Sequence, residues 1–225
     1  MKILVLGHNG MLGHMVYKYL STKDCEIVTT DLRWPTDELR NFVVDFDGDF
    51  VVNCIGSIPQ RTDNFDINTN LPIWFDDDDY GNSKREATEY LLKQDKDTII
   101  IKTSIIGPEL NTKASLLEWF LSIEEDSISG YSKCYWNGNT TLQWAKICYK
   151  IMCNYDKYDI LNIPTSDCIS KYKLLNIMKE VFETNIKIKE NSDVTIEKCL
   201  LKTDNMSNID IKTQLEELKE FYYDN

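Results

Sequence analysis

The chain opens Met1-Lys-Ile-Leu-Val-Leu-Gly-His-Asn-Gly-Met-Leu-Gly13, and no other stretch narrows the fold as much. Lys2–Leu6 is almost wholly apolar, the pattern of a strand buried on both faces of a parallel sheet rather than one with a wet face. Gly7-x-x-Gly10-x-x-Gly13 follows at once, and Met15, Val16, Tyr19 and Leu20 continue at helical spacing. Glycines between a strand and a helix let the turn tighten and let the backbone approach a pyrophosphate at the helix's positive end. The context therefore predicts the first βαβ unit of a dinucleotide fold; a tight turn without a ligand is the blander alternative.

The rhythm continues. Glu26–Thr30 reads as a second strand ending at Asp31, about 20 residues past the glycines, where such folds contact the adenosine ribose. Asp31 favours a free 2′-hydroxyl and hence NAD, whereas Arg33 favours a 2′-phosphate and hence NADP; the residues leave the choice open. Thr36, followed by Asp37 and Glu38, reads as a helix cap with acids in the first turn. Phe50-Val-Val-Asn-Cys-Ile55 is a further buried strand closed by Gly56, and Thr98-Ile-Ile-Ile-Lys102 another. The expected fold is α/β, a Rossmann-like doubly wound parallel sheet.

Beyond Gly107-Pro108 the strict alternation lapses. Leu116–Ile123, Leu142–Met152, Lys171–Phe182 and Gln214–Tyr222 read as helices, the last with Leu215, Leu218, Phe221 and Tyr222 inward. Ile128–Tyr131, Asp159–Ile163 and Ile186–Lys189 read as short strands. Residues 1–107 are thus expected to form the dinucleotide-binding core and 108–225 a smaller, interwoven substrate lobe, with the ligand in the cleft between them.

Composition narrows the partners. With 225 residues, 42% of them hydrophobic, the chain can bury a full core. A net charge of −12 argues against nucleic acid and anionic membranes. No apolar run reaches the length of a membrane span, and Met1–Gly7 leads into a strand rather than a signal peptide, so a cytoplasmic protein is expected. The seven cysteines include no Cys-x-x-Cys pair and the chain has two histidines, so reduced thiols are expected rather than a disulfide framework or a metal site.

The stretch Asp76-Asp-Asp-Asp-Tyr-Gly-Asn-Ser-Lys84 carries the candidate chemistry. Tyr80 and Lys84 stand four apart at the head of a helical pattern, and such residues stack on one helix face. An ammonium there favours the phenolate, whose free pKa is about 10, making Tyr80 a candidate proton donor near neutral pH. On spacing alone, a solvated helix face is the better explanation of the pair.

Five motifs together carry a family resemblance: the N-terminal glycines, Val51-Val-Asn-Cys-Ile-Gly56, Asn68 before Leu71-Pro72, Tyr80-Gly-Asn-Ser-Lys84, and Ile101-Lys-Thr-Ser-Ile-Ile-Gly107. In that order they resemble the extended short-chain dehydrogenase/reductases, and most of all the dTDP-4-dehydrorhamnose reductase branch of NAD(P)H-dependent nucleotide-sugar reductases. Tyr135-Trp-Asn-Gly138 with Thr140-Thr-Leu-Gln143, and Leu161-Asn-Ile163 with Ile169-Ser-Lys-Tyr172, extend the likeness over nearly the whole chain.

The resemblance implies reduction of a 4-keto-6-deoxy nucleotide-sugar, with NADP(H) favoured, NAD(H) as the alternative, and a homodimer. It implies that Gly7, Gly10 and Gly13, with Met11 and Leu12, cradle the pyrophosphate, and that Cys54, Ile55 and Gly56 line the adenosine side. Asn68 would sit beneath the site, Tyr80 would give the proton to the carbonyl oxygen, and Lys84 would hold the nicotinamide ribose. Thr103 and Ser104 would lie near the nicotinamide, Trp136 and Asn137 over the nucleotide-sugar. Each has a bland counterpart: Asn68 a helix cap, Trp136 a core aromatic, Cys54 a small buried hydrophobe.

One part of the pattern is missing. The family places a strand ending in a catalytic Ser or Thr between the Asn68 helix and the tyrosine. Here eleven residues separate Asn68 from Tyr80, four of them aspartates, with Thr69 the one hydroxyl. A helix end and a strand of about 5–6 residues do not fit there. A deletion that leaves the sheet one strand short and the active site damaged is the favoured expectation; another segment filling the slot is the alternative.

Overall fold

Alternation along β1 (Lys2–Leu6) sets the layers. Successive side chains on a strand leave opposite faces, so an unbroken apolar run needs cover on both. Ile3 and Val5 pack on one side with Val16 and Leu20 of α1 (Met11–Leu20) and with Val52 and Trp144. Leu4 and Leu6 pack on the other with Leu39 of α2 (Asp37–Val44), alongside Phe42 and Val43. The sheet is therefore doubly wound. The structure, a computed structural model, describes residues 1–56, 86, 89–91, 93, 98–155, 160–162, 167–200 and 209–224.

β2 (Glu26–Thr29) and β3 (Phe50–Asn53) flank β1, both parallel to it, in the order β2-β1-β3. Val5 pairs with Thr29 and Leu6 with Asn53, so the three strands end along one edge. α2 begins as its sequence predicts, the Thr36 hydroxyl accepting from the Leu39 amide with Asp37 and Glu38 in the first turn.

Two parallel pairs follow. β4 (Ile100–Lys102) pairs with β8 (Ile160–Asn162), and β5 (Ser104–Ile106) with β7 (Gly138–Thr140). α4 (Thr141–Met152) then returns to the first half, placing Trp144, Ala145, Cys148 and Met152 against the β1 face that α1 covers. In the remaining sheet β6 (Ser127–Trp136) lies between β10 (Lys187–Lys198), parallel, and β9 (Ile169–Ser170), antiparallel. α3 (Leu116–Leu121), α5 (Lys171–Val181) and α6 (Ile211–Tyr222) bury Leu117, Phe120, Leu174, Met178, Leu215 and Leu218 in one core with Met15 of α1.

Three expectations are corrected. The short strands at 128–131 and 186–189 are 10 and 12 residues long. Their apolar alternation stops early, but the backbone ladder breaks register after Asn191 and resumes at Thr195, running on through exposed polar positions such as Thr195 and Glu197. α6 starts at Ile211 rather than Gln214, because the Asp210 carboxylate accepts from the Thr213 amide and hydroxyl. The thiols are not all reduced: Cys168 and Cys199 form a disulfide. Cys168 directly precedes β9 and Cys199 directly follows β10, and these two strands flank β6. The sheet thereby holds the two Cα atoms 6.0 Å apart, within bonding range.

Among the described residues, no strand lies between Asn53 and Ile100 in the chain, and β3 and β4 belong to separate ladders. A cavity of about 1180 Å³ opens beside both, lined by Val51, Asn53, Ile55 and Ile99–Ile101 over Trp144 and Cys148. Val51 is 46% exposed and Ile55 41%, high for β-branched residues at the middle and end of such a strand. Among the described residues, no helix is long and apolar enough to cross a membrane, and no three His, Cys, Asp or Glu side chains cluster as a metal site would need.

Candidate functional site

The edge where β1, β2 and β3 end together is built around the glycine turn. Gly7 adopts φ +77°, in the left-handed region, and a Cβ on it would stand 3.0 Å from the Cys54 carbonyl carbon. The Gly10 amide donates to the Gly7 carbonyl at 2.9 Å, closing the turn. A Cβ at Gly13 would lie 2.1 Å from that same carbonyl oxygen, a backbone atom that cannot move aside. Strand end, turn and first helical turn are thus in contact because three side chains are absent.

Gly10 is also the N-cap of α1, with no side chain capping the helix and no acidic residue in its first turn. The amides of Met11, Leu12 and Gly13 stand in the first turn of that helix, where amides lack intrahelical acceptors, at its positive end. A cradle that any Cβ would fill, leading into an uncapped helix, fits a dinucleotide pyrophosphate. The residues that would hold it are Gly7, Gly10, Met11, Leu12 and Gly13.

Asp31 follows the end of β2, beside this turn. Asn9 Nδ2 donates to Asp31 Oδ1 at 2.9 Å, and His8 Nε2 lies 3.6 Å from the same oxygen. The Leu32 amide donates to the Thr30 hydroxyl, turning the chain at Asp31. Arg33 lies two residues on, at the exposed surface. Neither His8 nor Asn9 was singled out by the sequence, although both sit between the first two glycines.

Cys54 and Ile55 approach Gly7 from the end of β3, and the Asn53 side chain accepts from the Ile55 amide at 2.9 Å; Gly56 follows, exposed. Burial first, and then the neighbouring Cys148, pushes the Cys54 thiol far above its ordinary value; burial pushes Cys148 up to about 12. Both thiols stay protonated at neutral pH and act as small apolar groups, not nucleophiles.

Below the turn, the Gly10 carbonyl accepts from the His14 amide at 3.0 Å and from His14 Nδ1 at 2.9 Å. Nδ1 therefore carries the ring proton. Nε2 is buried with no hydrogen-bond partner. Burial lowers the His14 pKa, outweighing the Gly10 hydrogen bond.

The remaining candidates lie on other elements. Thr103, between β4 and β5, donates its hydroxyl to the Ser104 carbonyl and accepts from Asn139 Nδ2 at 2.9 Å. Asn139 in turn accepts from the fully buried Gln214, whose Oε1 accepts from the Thr140 amide at 2.9 Å. Asn137 is committed to the backbone: its Nδ2 donates to the Leu200 carbonyl at 2.9 Å and its Oδ1 accepts from the Leu200 amide at 2.7 Å. The Trp136 ring packs over Gly138, where a Cβ would meet it at 2.1 Å, and against the core built by α3, α5 and α6. Thus the structure brings Gly7, Gly10, Gly13, Asp31, Cys54 and Ile55 to one sheet edge, and Trp136 and Asn137 to the β6–β7 junction. Asn68, Tyr80 and Lys84 lie outside the described residues, as do the four aspartates and the interval expected to lack a strand.

No protein-family model matches the chain, and no curated protein matches its sequence. Solved structures match its fold. A dTDP-4-dehydrorhamnose reductase from Clostridium acetobutylicum superimposes with TM-score 0.75 at 16% identity, over 98% of this chain and 99% of that one. The Bacillus anthracis dTDP-4-dehydrorhamnose reductase in complex with NADP gives 0.79 at 11% identity over the same shares. The Bacillus anthracis dTDP-glucose 4,6-dehydratase in complex with NAD gives 0.68 at 14% identity, over 100% of this chain and 97% of that one. At these identities the likeness is one of fold: a Rossmann-like α/β architecture shared end to end.

Proposed function

We propose that the chain is an NAD(P)H-dependent reductase acting on the 4-keto group of a 6-deoxy nucleotide-sugar. The observation that carries the reading is the glycine cradle at the carboxyl edge of a parallel sheet, in a fold whose solved relatives by shape are nucleotide-sugar enzymes. When bound, a reduced nicotinamide supplies the hydride. The chain's part is to hold and to protonate. The turn at Gly7–Gly13 binds the pyrophosphate, and the Asp31 carboxylate takes the adenosine ribose. Tyr80 delivers its phenolic proton to the carbonyl oxygen of the sugar, and Lys84, four residues on, favours the phenolate by its charge.

The test follows NAD(P)H absorbance with a 4-keto-6-deoxy sugar nucleotide. Turnover that Tyr80→Phe abolishes, with the variant still folded and still binding the dinucleotide, supports the reading. Absence of turnover in a wild-type chain that binds the dinucleotide overturns it.

A second reading has its own observation. The eleven residues between Asn68 and Tyr80 hold no hydroxyl except Thr69, which favours a protein that binds the dinucleotide without turning a sugar over. Stabilisation by NAD(P)H without turnover is its signature, because a ligand stabilises only the state it binds. The epimerase and dehydratase chemistries of similar folds are distinguished by identifying the product.

A further inference from the structure

We propose that the Cys168–Cys199 disulfide is a thiol-operated latch on the junction where β6 passes into β7. A small-molecule thiol opens it, and the chain after β10 is then released from the Asn137 side chain. The latch stands on the geometry of this junction alone; what it governs rests on the function proposed above.

Register brings the parts together. Trp136, the last residue of β6, pairs with Ile169 of β9 on one side and with Lys198 of β10 on the other. One position further along each strand stand Asn137, Cys168 and Cys199, so the bond closes across the end of β6. Asn137 grips the next residue of the same segment, its Nδ2 donating to the Leu200 carbonyl and its Oδ1 accepting from the Leu200 amide. β9 is two residues long, so little else holds Cys168 in place. The bond does not anchor the loop it closes: that loop contains α5, whose Leu174, Leu175 and Met178 are buried in the core. Opening it therefore frees the ends of β9 and β10 and leaves the sheet standing.

Exposed disulfides are the labile ones, because an attacking thiolate must reach a sulfur. Cys168 is exposed and Cys199 half-buried. Both chain neighbours of Cys168, Asp167 and Ile169, line a cavity of about 280 Å³ together with Lys173 and Lys212, which gives a small thiol its approach. The incoming thiolate attacks Cys168 Sγ; the sulfur–sulfur bond breaks, and Cys199 leaves as a thiolate that takes a proton from water. A second thiol attacks the mixed disulfide and releases Cys168, so two thiols are oxidised to one disulfide while both cysteines are reduced. With Cys199 loose, Leu200 loses its fixed position. The Asn137 amide, donor and acceptor together, is then free for a polar ligand, and a sugar hydroxyl is the one the proposed function supplies.

Glutathione redox buffers applied to the full chain, without denaturant, test this. Alkylation and mass spectrometry should find Cys168 and Cys199 bonded in the oxidised buffer and both free in the reduced one. Once reduced, the folded chain should exchange the Leu200 amide proton at least about tenfold faster, a loss of about 1.4 kcal/mol of local protection. The Cys54 amide, bonded to the Leu6 carbonyl in the first sheet, should keep its rate. Cys168→Ser should show the faster Leu200 exchange in both buffers. A bond that resists the reduced buffer until the chain is denatured overturns the latch, as do cysteines that never pair in the oxidised buffer or a Leu200 amide indifferent to reduction. Unfolding on reduction, which would quicken Leu200 and Cys54 alike, overturns it too. Failure to bind a dinucleotide in either buffer would instead overturn the proposed function and leave the latch standing.

Discussion

Gly13 is the residue at which one added methyl group should do the most harm. Its Cβ would stand 2.1 Å from the Gly7 carbonyl oxygen, so Gly13→Ala forces the first turn of α1 away from the strand end. Overpacking of this kind costs about 1–3 kcal/mol. For a chain of this length the expected loss in Tm is about 4–8 °C for the middle of that range. Dinucleotide binding should disappear even below the melting point, and calorimetric titration of the variant at low temperature checks it; unchanged affinity would mean the cradle lies elsewhere. This position was legible in the sequence because a glycine between a strand and a helix has few other reasons to exist. Asp31 was legible by its distance from the glycines. His8 and Asn9 were not, since the residues between the glycines carry no periodicity, and their contact with Asp31 depends on the pairing of β1 with β2. Asn137 was legible as a residue worth naming and not in what it touches. Its partner, Leu200, lies 63 positions away, across a junction that spacing cannot reveal.

Among elements, the β6–β7 junction shows how a polar side chain can act as a fastener. Both ends of the Asn137 amide bond the Leu200 backbone, and the disulfide closes on Cys199 next door. Asn137→Ala should therefore cost about 2 kcal/mol by stranding a partly buried carbonyl and amide. Urea unfolding measures this, and a variant of unchanged midpoint with a raised KM for the nucleotide-sugar would show instead that the amide serves the ligand. The start of α2 was read correctly from sequence, Thr36 being recognisable as a cap because its hydroxyl precedes two acids, whereas the Asp210 cap of α6 was not. β5 and β7 were not read, for each is three residues long and β7 is the polar run Gly138-Asn-Thr140. β7 can be buried throughout because the Thr103–Asn139–Gln214 hydrogen-bond network satisfies polar groups that a hydropathy pattern counts as surface.

At the scale of the molecule, α1 joins the two halves. Val16 and Leu20 pack in the core that covers the β1 sheet, whereas Met15 belongs to the core built by α3, α5 and α6. His14 lies at this seam, its ring edge-on to Tyr222 of α6 at 5.6 Å, with Nδ1 on the Gly10 carbonyl and Nε2 buried without a partner. The charged groups that bear on it are Lys18, on its own helix, which disfavours the imidazolium, and Glu118 of α3, which favours it less strongly than burial opposes it. The folded-state pKa is therefore below the unfolded value of about 6.5. In the interval between the two values the unfolded chain binds the extra proton. Stability from this group is thus full above about pH 6.5 and is lost as pH falls through the folded value. Melting temperatures between pH 7.5 and 5.5 should fall in wild type and fall less in His14→Leu, which keeps the volume and removes the titration. Parallel curves for the two proteins would show that the seam does not sense the proton. A shallower curve for the variant would place the acid-sensitive link between the halves directly beneath the glycine turn, so that mild acid would loosen the candidate binding site together with the fold.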